Sequence, residues 1–240
     1  MIDSFSLGPV RIAWATIDPP AFAVQETLRQ IGDSQLLRHQ GLDEPSAKRF
    51  AAGRLLLAEL IPELISADGV RLTSVCDQCG GDHGCPRIEG APFTVSLSYA
   101  GDMVVAAAVA LESASAVGID IEPRASNDDA PLHELTRLFA PRSPPGLREW
   151  TEIEAAVKAD GRGLRIPPSA VRFGEHSAML LPGGRRVLVP DRRDRFEVAA
   201  VPGPPAHIVS VAVVAAVNEA TQGAPSRPAR RGRARRAQIR

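Results

Sequence analysis

A chain of 240 residues is long enough to bury a sizeable core, as one large domain or as two lobes of about a hundred residues each. Its apolar and charged fractions, 44% and 23%, are those of an ordinary globular chain, and its longest late apolar run, VSVAVVAAV at 209–217, falls short of the roughly 20 residues a bilayer span needs. The formal charge of zero hides an asymmetry: seven arginines and no acid in residues 221–240 leave 21 basic residues against 28 acidic ones in the first 220.

Met1 to Trp14 carries no basic segment followed by an apolar run, so no secretory signal is expected and the chain is read as cytoplasmic. After a short apolar opening at Val10 to Trp14, LDEPSAKRFAAGRLLLAELIP begins with helix-start chemistry: Asp43 as cap, Glu44 at the positive helix end, Pro45 in the first turn. Phe50, Leu57, Leu60 and Ile61 fall at helical spacing and Pro62 stops the run, with Arg49 and Arg54 expected to stand apart from the apolar stripe. CDQCGGDHGCPR is a turn-rich connection that holds all three cysteines, an odd number, which argues against a secreted disulfide framework. Cys76, Cys79, His83 and Cys85 have the types of a zinc site, although the final H-x-C is cramped for one tetrahedral ion; the other reading is a plain loop with buried thiols.

PFTVSLSY, MVVAAAVAL and AVGIDIE then read as three strands, with AGD at 100–102 a tight hairpin between the first two. A helix is expected from about Leu132 and a second through GLREWTEIEAAVKADGRG, followed by strand-like SAMLL, RRVLV, RFEVAAV and AHIVSVAVVAA. Helix followed by antiparallel strands thus occurs twice, which predicts an α+β protein of two similar lobes with a ligand cleft between them. The expected boundaries are an N-terminal lobe at 1–115, a C-terminal lobe with the metal site at 116–217, and a disordered arginine-rich tail at 218–240.

In AVGIDIEPR, alternation puts Ile119 and Ile121 on one strand face and Asp120 and Glu122 on the other. Two ionised carboxylates that close repel unless water screens them, as on the wet face of an edge strand, or a cation joins them. Trp150, Glu154 and Lys158, spaced by four, share one helix face; Glu154 and Lys158 form either an ordinary helical ion pair or part of a site. If that face meets the strand, three carboxylates converge beside one of only two lysines in the chain, Lys48 being the other. Such a set suits Mg²⁺, which keeps open positions for water or phosphate, and the reaction class suggested is chemistry on a diphosphate.

VSLSYAGDMVVAAAV, VGIDIE and WTEIEAAVKADGRGL resemble, in order and spacing, the three motifs of the 4′-phosphopantetheinyl transferases. The likeness is to the monomeric, two-lobed class that activates peptide and polyketide synthases, and RFAAGRLLL and CDQCGGDHGCPR also look like that class. The resemblance implies a pseudo-twofold fold with coenzyme A between the lobes, and transfer of its phosphopantetheine arm to a serine of an apo carrier protein. It further implies that Asp120, Glu122 and Glu154 hold Mg²⁺, that Glu154 is the base, and that Lys158 stabilises the departing phosphate. Ser98 and Tyr99 would contact the phosphates, and Arg49 and Arg54 the adenosine 3′-phosphate.

Three positions depart from the family's commonest pattern: Tyr99 replaces a frequent histidine, Ile153 a frequent lysine, and Cys85 a frequent basic residue. A catalytically silent coenzyme-A-binding relative is therefore one alternative. A nucleic-acid module using the cysteine loop and the arginine tail is another, though the acidic body and 4% aromatics give it little to read bases with. His39, His133, His176 and His207 lack motif context, and Trp150 is expected to be a buried helix anchor.

Overall fold

The computed structural model describes residues 2–76, 78–124 and 130–216; the arginine-rich tail expected at 218–240 lies outside the described residues. Strands β1 (Asp3–Leu7) and β2 (Val10–Thr16) precede helices α1 (Ala21–Ile31) and α2 (Asp33–Gln40), two elements the sequence reading does not contain. Helix α3 (Glu44–Leu60) starts as its capping residues dictate, with the Asp43 carboxylate accepting the Ser46 N–H at 2.8 Å. It continues through the short α4 (Glu63–Ser66) to a ribbon of β3 (Arg71–Thr73) and β4 (Arg87–Glu89).

Strands β5 (Phe93–Ala100), β6 (Met103–Ala110) and β7 (Ala114–Pro123) follow, with Gly101 at φ +56° supplying the left-handed turn of the β5–β6 hairpin. Next come α5 (Ala130–Phe139) and α6 (Leu147–Asp160), the latter closed by Gly161 at φ +80°. Four strands complete the chain: β8 (Arg172–His176), β9 (Arg185–Leu188), β10 (Phe196–Val201) and β11 (His207–Ala215). The protein is mixed α+β, and among the described residues no helix is long and apolar enough to cross a membrane.

Two antiparallel sheets carry the architecture, ordered β1-β2-β6-β5 and β7-β11-β10-β9-β8. Alternation along β6 explains how they stack. Val104, Ala106 and Ala108 face α3, while Val105, Ala107 and Val109 face the second sheet. There they meet Ile119, Ile121, Val209, Val211 and Val213 in a continuous apolar layer. On the far side of the second sheet, Val198, Ala212 and Val214 pack under Ile153, Ala156 and Val157 of α6. The order is helix, sheet, sheet, helix, and the wholly apolar composition of β6, like the run of β11 after His207 that only the buried Ser210 interrupts, follows from burial on both faces.

Two expectations change. SAMLL, residues 177–181, is not a strand: the Leu180 and Leu181 N–H groups donate to the buried Glu197 carboxylate, at 2.9 and 3.2 Å, rather than to a ladder. Arg54 does not stand apart from the apolar stripe. Helix α3 has the first sheet on one side and α1, α2 and α4 around it, so Arg54 is buried along with Phe50, Leu56 and Leu57.

The C-terminal turn of α6 is tied to the loop before β10 by Asp160, whose side chain accepts from Arg162 Nε at 2.6 Å and Arg192 Nε at 2.6 Å. Burial alone would raise this carboxyl, but the two guanidiniums win and hold it below its ordinary value. Asp160→Asn is expected to cost about 2 kcal/mol, the arginines being partly solvated, and urea unfolding would measure it.

Candidate active site

The edge of each large sheet supplies one strand to a seam where β5 and β7 run side by side without pairing. Serine hydroxyls close it. Ser96 Oγ accepts the Ile119 N–H at 3.1 Å, and Ser98 Oγ donates to Asp120 Oδ1 at 2.9 Å. On β7, Ile119 and Ile121 enter the core between the sheets, so Gly118, Asp120 and Glu122 face α6. Gly118 is what allows α6 so close, since a methyl group there would strike the Ala155 carbonyl oxygen and the Ala159 nitrogen.

That approach carries Lys158 over the seam. Its ammonium donates to Asp120 Oδ1 at 2.7 Å, Ser98 Oγ at 2.8 Å and the Ile119 carbonyl at 3.2 Å, using all three protons. Asp120 Oδ2, by contrast, is buried with no hydrogen-bond partner among the described residues. Trp150, expected to be only an anchor, also donates from Nε1 to Glu122 Oε1 at 3.3 Å, while its ring meets Phe139 edge-on. Trp150 thus fixes the outer carboxylate, a role that the i, i+4 spacing to Glu154 does not reveal.

Glu154 is the group under most electrostatic pressure. Burial, then the neighbouring Asp120 and Glu122 charges, push its carboxyl up to about 7 against the pull of Lys158. Glu122 is raised for the same reasons, burial first and Asp120 second, with the Trp150 hydrogen bond opposing. The three acids therefore sense one another beside one lysine. Yet they are not drawn into a tight cage: among the described residues, only Cys76, Cys79 and His83 have three ligand atoms all within 4.8 Å of one another.

The residues fit a hard divalent cation. An unpartnered buried carboxylate oxygen and two carboxyls whose ionised forms are disfavoured by burial and then by like charge all gain from a positive ion, and an all-oxygen donor set suits Mg²⁺. Without metal, the sign of the pH effect is fixed. The folded state binds the Glu154 proton more tightly than the unfolded chain, so this contribution is fully present below the ordinary value of 4.5 and lost as pH rises through about 7. Metal-free protein is expected to lose about 2 kcal/mol between about pH 5 and about pH 8 relative to Glu154→Gln, measured by urea unfolding of both.

Tyr99 lies on the other side of β5 from Ser98, so these neighbours do not meet in one place as expected. Its ring packs against α3, in space left by Gly53, where a methyl group would strike the phenol oxygen. Around it gather guanidiniums. Arg54 is buried, donating to Gln35 Oε1 and Ser74 Oγ, both at 3.1 Å, with its plane 4.0 Å from the Phe50 ring centroid. Arg49, exposed, lies 5.3 Å from the Tyr99 centroid and donates to the Gly101 carbonyl at 3.3 Å. Arg38 of α2, absent from the sequence reading, stacks 5.1 Å from Phe50 and leaves its Nη1 buried without a hydrogen-bond partner among the described residues. Burial pulls Arg54 below its ordinary value and pushes Tyr99 above its own, with each partly restoring the other. The set is a ready receptor for an anion.

No protein-family model matches this chain, and no curated protein does. The molecule offers two clusters, an acidic one beneath α6 and a basic one at α3, with β5 between them.

The cysteine loop divides. Cys79 Sγ sits 3.0 Å from His83 Nε2 and Cys76 joins them, but Cys85 is outside the group. After His83 the Gly84 N–H returns to the Ser74 carbonyl, which turns the chain into β4 and carries Cys85 past the cluster. Nor are the thiols buried, since Cys79 and Cys85 are exposed and Cys76 half-buried.

Proposed function

We propose that the protein is a 4′-phosphopantetheinyl transferase, moving the phosphopantetheine arm of coenzyme A onto a serine of an apo carrier protein and releasing 3′,5′-ADP. The observation that carries this reading is the seam cluster: Lys158 knotted to Ser98 and Asp120, an orphaned Asp120 Oδ2, and Glu154 poised at about 7. The two helix-on-sheet halves, sheets facing each other, support reading the fold as a pseudo-twofold pair of lobes.

In this reading Asp120, Glu122 and Glu154 would hold Mg²⁺, which when bound neutralises charge on the diphosphate. Glu154 accepts the proton of the incoming serine, directly or through a water, as that oxygen bonds to the β-phosphorus. The phosphorus–oxygen bond to the 3′,5′-ADP moiety breaks, and Lys158 meets the charge that develops on the departing phosphate. Ser98 keeps Lys158 aimed, and Trp150 keeps Glu122 turned toward the site. On the far face of β5, Arg38, Arg49 and Arg54 grip the 3′-phosphate of coenzyme A, with Tyr99 beside them where relatives carry histidine.

The test is direct. Purified protein, coenzyme A and Mg²⁺ are incubated with a panel of apo acyl, peptidyl and aryl carrier proteins while carrier mass is followed. A Mg²⁺-dependent gain of one phosphopantetheine supports the reading; failure to bind coenzyme A at all overturns it, and binding without transfer leaves a silent relative.

A further inference from the structure

Cys76, Cys79 and His83 lie in the loop between β3 and β4, outside both clusters described above. Their Sγ and imidazole nitrogen atoms all fall within 4.8 Å of one another. We infer that this loop binds a Zn²⁺ ion through Cys76 Sγ, Cys79 Sγ and His83 Nε2, with a solvent molecule in the fourth position.

Two thiolates and an imidazole form a donor set that selects zinc over the hard ions suited to the seam. The 3.0 Å between Cys79 Sγ and His83 Nε2 has to open only to roughly 3.5 Å at tetrahedral bond lengths. The backbone is already folded around that space. Cys76 N–H donates to the Gly81 carbonyl at 2.8 Å and Gly80 N–H to the Cys76 carbonyl at 2.9 Å, closing a turn with Gly80 at φ +70°. Gly81 N–H points at Cys79 Sγ at 3.4 Å, the kind of donor that steadies a metal-bound thiolate.

Gly81 supplies a second, independent sign. A methyl group on it would press on His83 Cδ2 at 3.2 Å and Cys79 Sγ at 3.3 Å, so glycine there leaves the two ligands room to converge. Binding displaces the two thiol protons to solvent, so affinity falls as pH falls. The ion would also fix Ser74, whose carbonyl receives the Gly84 N–H at 2.6 Å and whose hydroxyl receives Arg54, coupling the loop to the basic cluster. The site itself does not depend on the transferase reading.

Full-length protein, purified under reducing conditions and held in excess Mg²⁺ to saturate oxygen-rich sites, is titrated with Co²⁺ and then Zn²⁺. About one Co²⁺ per chain is expected, with tetrahedral visible bands and a near-ultraviolet thiolate charge-transfer band that Zn²⁺ abolishes. Cys79→Ser and His83→Ala should each weaken binding at least about tenfold, while Cys85→Ser should leave it unchanged. Absence of the charge-transfer band in the unaltered protein overturns the inference, as does equal loss in Cys85→Ser. Co²⁺ uptake without that band would assign the metal to carboxylates and would overturn it too.

Discussion

Glu154→Gln is expected to lower the rate of carrier modification by about a thousandfold or more while making the metal-free protein more stable at neutral pH. Both effects have one origin. Glutamine keeps the shape of the side chain, so the packing of α6 over Gly118 and the knot at Lys158 should persist. It removes a carboxyl that burial, Asp120 and Glu122 push up to about 7, and with it the electrostatic strain of ionising that group above neutrality. A residue needed only for structure would lose stability and activity together. One that stores strain for chemistry loses activity and gains stability. The measurements are carrier mass against time at saturating coenzyme A, and urea unfolding at about pH 8 without metal. A variant that still modifies carrier within about tenfold of the natural rate would remove Glu154 from the role of base. A destabilised variant would show that its carboxylate is paired in the native state after all.

Strict alternation already puts Asp120 and Glu122 on one face, and four-residue spacing aligns Glu154 with Lys158; what neither pattern contains is the docking of that helix on that strand. The signal was present as small residues, Gly118 under Ala155 and Ala159, but close approach is a property of two elements at once. The same alternation also separates Ser98 from Tyr99, so that adjacent motif residues serve opposite faces of β5 and two different clusters. Burial of Arg54 is illegible from its own helix because the cover comes from two others: α1, whose Val24, Leu28 and Ile31 do fall at helical spacing, and the short polar α2, which has no apolar period to name it. Arg38 is missed for the same reason. Trp150 reads as an anchor from its size, and its hydrogen bond to Glu122 depends on where β7 ends beneath α6. The membership of β7 in the second sheet rests on its long pairing with β11, almost a hundred residues away in sequence and beyond the reach of local pattern.

The basic cluster makes a second, equally discriminating prediction. Removing the 3′-phosphate from coenzyme A should weaken its use by the natural protein by about a hundredfold, and the double variant Arg38→Gln, Arg54→Gln should abolish that discrimination. Among the described residues Arg38 Nη1 is buried without a hydrogen-bond partner, and the Arg54 bonds to Gln35 and Ser74 are both to neutral groups. Stacking on the Phe50 ring holds the planes of both guanidiniums, so little side-chain freedom remains to be lost when an anion arrives. A doubly charged phosphate would satisfy the orphaned donor and neutralise charge that burial has made costly. The expected pattern is a cycle: the double variant raises KM for coenzyme A by about a hundredfold or more, yet leaves KM for the dephosphorylated form within a few-fold. Because the proposed chemistry belongs to the seam beneath α6 rather than to α3, kcat should change little for either substrate. Equal loss on both substrates would mean that the arginines shape the first lobe rather than bind phosphate. A fall confined to kcat would couple them to the seam through β5, with Tyr99 and Ser98 as the linking pair.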